Sequence, residues 1–189
     1  MIYDVQAPHD DGSAMAPKPL LTRIPRQVVA ALCQQFGFLI PLAGTDDGMG
    51  HPIDGAKLLW AIAGCESSFG DNCKPRFERA YYAGGYYYIR DKRIRQAVQS
   101  WGPDAACSYG PWQVLCVNSQ YSPEELGSDP KVACDAAAHF LVHFVLGFRK
   151  ARTLAAILDT YNSGNWRDVH LPVKYVKDGT NYYQNFPLP

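Results

Sequence analysis

Apolar side chains return every three or four residues in several separate stretches of this chain, and those stretches are bounded by glycine, proline or capping residues. That period matches the helical turn and not the two-residue alternation of a half-buried strand. Val28, Val29, Leu32 and Phe36 mark a helix over Ile24 to Phe38, with Pro25 at its start and Gly37 near its end. Asp54 caps a second, which runs through Leu58, Leu59, Ile62 and Ala63 to about Ser67, with Gly70 beyond it. Asp129 or Pro130 opens a third through Cys134, Ala138, Leu141, Val142 and Val145. Thr153 to Tyr161 is a further helix, stopped by Gly164, and a last one covers Val173 to Phe186. Between Asp71 and Gly110 the pattern gives way to tyrosines, glycines and a basic run, read as loop and then helix to about Ser100. Tyr109 to Val117 is a short segment opened by Gly and Pro. No internal repeat is visible. The expected fold is mainly α, with room for a few short strands between residues 71 and 117.

A chain of 189 residues supports one domain with a real core. Residues 1–22 are polar and punctuated by Pro8, Gly12, Pro17 and Pro19, the composition of a flexible arm; the domain is expected over 23–189. Lys+Arg and Asp+Glu both number 18, so the basic surplus that neutralises phosphates is missing and nucleic acid is not expected as a partner. No uninterrupted apolar window long enough to span a bilayer stands out, so membrane insertion is not expected. Met1 to Pro19 lacks the basic-then-apolar plan of a secretory signal. The six cysteines form no CxxC pair. Their even number permits disulfides, but without a signal peptide buried reduced thiols are the plainer expectation.

Glu66 is the most informative residue. It lies seven positions after Leu59 and four after Ile62, on the face that carries the apolar stripe. A carboxyl there emerges among apolar neighbours at the negative end of the helix, and both effects raise its pKa. An acid that stays protonated near neutral pH can give a proton to a leaving oxygen, which glycosidic cleavage requires. The plain alternative is a solvated carboxylate at a fraying helix end.

The residues around Glu66 and beyond add a pattern. Cys65-Glu66-Ser67-Ser68-Phe69-Gly70 resembles the catalytic Glu-Ser motif of soluble lytic transglycosylases. Tyr109-Gly110-Pro111-Trp112-Gln113-Val114 is similar to their Gly-x-x-Gln segment, and Tyr161-Asn162-Ser163-Gly164 to their Tyr-Asn-x-Gly motif. His139-Phe140-Leu141 stands where the family has a Tyr-Leu pair, and Tyr175-Val176 with Tyr182-Tyr183 looks like its closing helix. The motifs come in the family's order over about residues 53–186. The resemblance implies a lysozyme-like, mainly α fold with a long cleft for the glycan strands of peptidoglycan. It implies cleavage of the β-1,4 bond between N-acetylmuramyl and N-acetylglucosaminyl units with a 1,6-anhydro product, and no cofactor or metal. Glu66 maps onto the single acid/base. Ser67, Gln113, Tyr161 and Asn162 map onto substrate-contacting positions, with the Tyr161 hydroxyl placed near the glutamate.

Two departures open alternatives. Pro111-Trp112 replaces the usual Leu-Met, so Trp112 either stacks on a sugar or fills the core. The stretch from Asp71 to Ser108 is longer than the family's minimal loop and holds Asp71, Glu78 and Asp104. A second carboxylate beside Glu66 would make the enzyme a lysozyme-type hydrolase; Glu78 is the best candidate and Asp71 the next, although the arginines flanking Glu78 fit a structural ion pair equally. A non-catalytic wall-binding or virion structural protein is the alternative from another class. His139 and His143 share a helix face without the H-E-x-x-H pattern, and no cysteine has an activating context, so metal and thiol chemistry are not expected. The basic run Arg90 to Arg95 reads as a solvated helix face. With no signal seen, action on the bacterial wall or in the periplasm requires another route, through a virus particle or a releasing partner, which fits a bacteriophage protein.

Overall fold

The computed structural model describes residues 18–164 and 173–187. The fold is mainly helical with one small sheet. The first two helices are α1 (Arg26–Gly37) and α2 (Gly55–Ser67). Asp54 caps α2 by accepting from the Lys57 N–H at 3.0 Å. Leu58 through Gly64 are all buried, so α2 is the central helix rather than an amphipathic one. Its first turn crosses the end of α1 at two glycines. A Cβ on Gly55 would stand 2.1 Å from the Gly37 carbonyl oxygen, and one on Gly37 would stand 2.3 Å from the Ala56 nitrogen.

The segment after α2 holds strand β1 (Arg76–Phe77), helices α3 (Tyr86–Arg90) and α4 (Lys92–Trp101), and strand β2 (Cys107–Tyr109), followed by β3 (Val114–Leu115). The strands form an antiparallel sheet in the order β1-β2-β3, with Arg76 opposite Ser108 and Tyr109 opposite Val114. Gly110 to Gln113 makes the β2–β3 turn. Gly110 has φ 72°, and a Cβ there would meet that of Ala133 at 2.7 Å, so the turn is pressed against the helix that follows.

Helices α5 (Pro123–Ser128) and α6 (Pro130–Phe140) begin at full caps: a Ser122/Glu125 capping box and the Asp129 carboxylate. The expected run from Asp129 to Val145 is present, but from Leu141 to Phe148 it widens into a π-helix, in which the Arg149 N–H reaches back five residues to Phe144. By length and composition Pro130–Phe148 is apolar enough to cross a membrane, which an uninterrupted apolar window missed. Its Ala133, Cys134, Ala137, Leu141 and Val145 are core residues. Helices α7 (Leu154–Ser163) and α8 (Val173–Gln184) complete the fold; Gly164 ends α7 with φ 72°.

The arm expected over 1–22 is corrected at its C-terminal end. Residues 1–17 lie outside the described residues, but Lys18 onward is tied to the domain. The Leu21 N–H donates to Gly127 at 2.8 Å, and the Thr22 carbonyl accepts from Cys73. The cysteines are free thiols, five of them buried and Cys65 half-buried.

Candidate active site

Three elements meet at the C-terminal end of α2. Ser68 and Phe69 both take left-handed backbone, with φ 55° and 64°, so the helix stops at Ser67 and reverses at once, earlier than Gly70. Phe69 folds back onto Trp60, ring centroids 4.3 Å apart. The last turn of α2 thereby presents Glu66 sideways into a cleft of about 600 Å³. The other walls come from β1 and the 78–94 segment, from the β2–β3 hairpin, and from the α6 and α7 ends.

The Glu66 side chain is only 7% exposed. Its Oε1 accepts from the Tyr175 hydroxyl of α8 at 2.8 Å, and its Oε2 from the Arg76 guanidinium at 3.4 Å. Burial raises the Glu66 pKa above the ordinary carboxylate value; Tyr175 and the charge of Arg76 pull it partly back, and Glu78 adds a smaller push upward. Burial also holds the Tyr175 and Tyr161 phenols protonated, so both remain donors.

The structure places the expected site residues in two groups. Glu66, Gln113, Tyr161 and Asn162 line the cleft, and so does Glu78. Gln113 is held on its wall by three side-chain bonds: Oε1 accepts from Ser108 at 3.0 Å, and Nε2 donates to the carbonyls of Gly110 at 3.0 Å and Lys74 at 3.5 Å. The Tyr161 hydroxyl does not reach Glu66 as the resemblance implies. It donates to the Trp112 carbonyl at 2.9 Å, and Tyr175 supplies the phenol at the glutamate instead.

Ser67, Trp112 and Asp71 lie outside the cleft lining. Ser67 is 2% exposed; its hydroxyl donates to the Ala63 carbonyl and accepts from the Gly70 N–H, fastening the end of α2. Trp112 is fully buried, and its indole donates to the Leu59 carbonyl at 2.9 Å, which settles it as core and not as a sugar platform. Asp71 pairs with Arg23 and Arg26 outside the cleft lining. Glu78 is beside the glutamate, but its Oε1 takes the Arg76 Nε at 2.7 Å, so one guanidinium ties both carboxylates together. Sequence reasoning missed Tyr175 and Arg76 as partners of Glu66. Tyr175 stands 109 residues away, and no local pattern links the two.

Rival chemistries find little geometry. His139 and His143 lie with ring centroids 5.6 Å apart and Asp135 3.9 Å from His139, and no group of three metal-ligating side chains occurs among the described residues. Burial raises the thiol pKa at all six cysteines, to about 12 at Cys65 and about 11 at Cys73, so none is poised as a thiolate. Compared with protein-family models, with curated proteins and with solved structures, the chain has no significant match. The geometry is that of a buried carboxyl, its pKa raised, in a cleft with polar and aromatic walls.

Proposed function

We propose that this protein is a peptidoglycan lytic transglycosylase, with Glu66 as its general acid and then its base. The observation that carries the reading is the buried Glu66 carboxyl, oriented by Tyr175 in a cleft where the other acidic groups are bound to arginines. Glu78 is engaged by Arg76, and Asp91 by Arg93. Protonated Glu66 gives its proton to the glycosidic oxygen, the C1–O bond breaks, and the leaving sugar departs as an alcohol. The acetamido oxygen of the same muramyl unit supports C1 meanwhile, so no protein nucleophile is required. The C6 hydroxyl then closes onto C1 and returns its proton to Glu66. Water is not consumed, and the product carries a 1,6-anhydro ring. The substrate is the glycan strand of the bacterial wall.

A second reading is favoured by one observation: Glu78 lines the same cleft, and a carboxylate there could direct water to C1 for hydrolysis. Mass spectrometry of muropeptides from purified sacculi separates the two. Transglycosylation yields anhydro ends, each one water lighter than a reducing end, and Glu78→Gln still produces them. Reducing ends that vanish in Glu78→Gln would replace the proposal with the hydrolase. A chain that binds sacculi and releases nothing would favour a wall-binding or virion structural role.

A further inference from the structure

Two tracts of aromatic side chains line the cleft and are not explained by the proton chemistry at Glu66. The first comes from the 81–87 segment. Tyr81 and Tyr87 stack with centroids 4.6 Å apart and rings 24° from parallel, and Tyr86 meets Tyr87 edge-on at 5.0 Å. The second climbs out of α6 into the widened helix. Phe140 stacks on Phe144 at 5.0 Å and 16°, and Phe144 in turn on Phe148, which stands outside the cleft lining, at 5.9 Å.

The tyrosine tract is not core that happens to border a cavity: Tyr86 is 57% exposed and Tyr87 41%, while Phe140 and Phe144 are half-buried against the core with a part of each turned to the cleft. Exposed aromatic groups gathered at one cleft are a binding feature rather than a packing one. Both tracts also carry a cation. Arg90 lies 3.7 Å over the Tyr86 ring, and Arg149 lies 5.1 Å and 5.3 Å from the Phe144 and Phe148 rings. Such contacts hold the rings in place. Between the aromatic groups the lining is polar, with Asp91, Arg93, Asn118 and Asn162.

A pyranose ring has the matching chemistry. Its axial C–H faces are apolar and ring-sized, and its edges carry hydroxyl and acetamido groups that need donors and acceptors. Flat apolar lining supplied with hydrogen-bonding side chains is complementary to that pattern. We propose that the Tyr81–Tyr87 pair and the Phe140–Phe144 pair form stacking subsites for N-acetylated pyranose units of the glycan, extending the grip on the strand beyond the residues that handle the cleaved bond. The proposal rests on the glycan reading of the cleft. The 81–87 segment, the part of the chain that departs furthest from the family pattern, thereby becomes the element that sets how much of the strand is held.

The test is calorimetric binding of the β-1,4-linked N-acetylglucosamine hexamer, in a Glu66→Gln background that prevents turnover. Tyr87→Ala is expected to weaken binding about tenfold, the effect of losing roughly 1.4 kcal/mol of stacking. Tyr87→Trp, which keeps a flat ring, is expected to bind within about twofold of the Tyr87 protein. Phe144→Ala is expected to weaken binding by a similar factor, read alongside its melting curve. In the active protein, Tyr87→Ala raises KM on sacculi and leaves kcat in place, a split that mere loosening of the fold would not give. Unchanged hexamer affinity in Tyr87→Ala, or no hexamer binding in any of the proteins, overturns the subsites. The acid role of Glu66 is read separately, from digestion of sacculi by Glu66→Gln, so its failure is distinguishable from failure of the stacking.

Discussion

The end of α2 and the segment from Lys74 to Ala106 border the same cleft but are built on different terms. Around α2 nearly every side chain is buried and committed. Ser67 ties the helix end, Trp112 ties the hairpin to Leu59, and Tyr161 ties α7 to the Trp112 carbonyl. In the other segment Phe77, Tyr86 and Tyr87 are exposed, and the charges pair at the surface, as Asp91 does with Arg93. One region fixes a single carboxyl against protein atoms; the other leaves its chemistry facing outward. Under the proposed function, rigidity lies where a proton would be placed and exposed surface where a long polymer would be gripped.

The largest expected effect would break that contrast if it failed. Trp112→Ala empties a fully buried site and removes the indole that donates to the Leu59 carbonyl, and should cost about 3–5 kcal/mol in urea unfolding. Tyr87→Ala, on the open segment, should stay within about 0.5 kcal/mol. Equal costs would mean that the segment is as much core as α2.

The next effect concerns Tyr175. Its hydroxyl stabilises the ionised form of Glu66, so Tyr175→Phe should raise the Glu66 pKa further and move the alkaline limb of the activity profile to higher pH. A hydrogen bond to a charged group is worth about 1.5–3 kcal/mol, enough for the upward movement of that limb to be plain in the profile. A profile that does not move would remove Tyr175 from the account. The smallest effect is at Ser67. Ser67→Ala should cost about 1 kcal/mol of stability and leave KM unchanged. A raised KM would return Ser67 to the substrate.

Much of the helical frame was legible because it rests on local physics. Asp54, Asp129, Thr153 and Gly164 bound helices as their chemistry requires. The sheet was legible only as a region, since strands of two or three residues are too short to show alternation. The widening at Leu141 left no mark, because a π-turn changes the hydrogen-bond partner and not the residue type. Within the site, Glu66 was legible from its place one turn after Ile62 and two after Leu59, at the end of an apolar helix that is buried on every side. Ser67, expected at the substrate, instead fastens the helix end, and of the two places open to Trp112 the core is the one it takes. Tyr175 was missed because its contact is purely tertiary.

The central claim, that Glu66 is the acid, is tested most directly by digesting sacculi with wild type and Glu66→Gln while recording both melting curves. A buried carboxyl whose pKa is raised in the folded state favours the protonated form. Its contribution to stability is therefore present below its unfolded pKa, near 4.5, and is lost as pH rises through the higher folded value. The amide escapes that loss. At neutral pH Glu66→Gln should melt at or above the wild-type temperature and release no soluble muropeptides. A well-folded Glu66→Gln protein that digests sacculi at the wild-type rate would contradict the account.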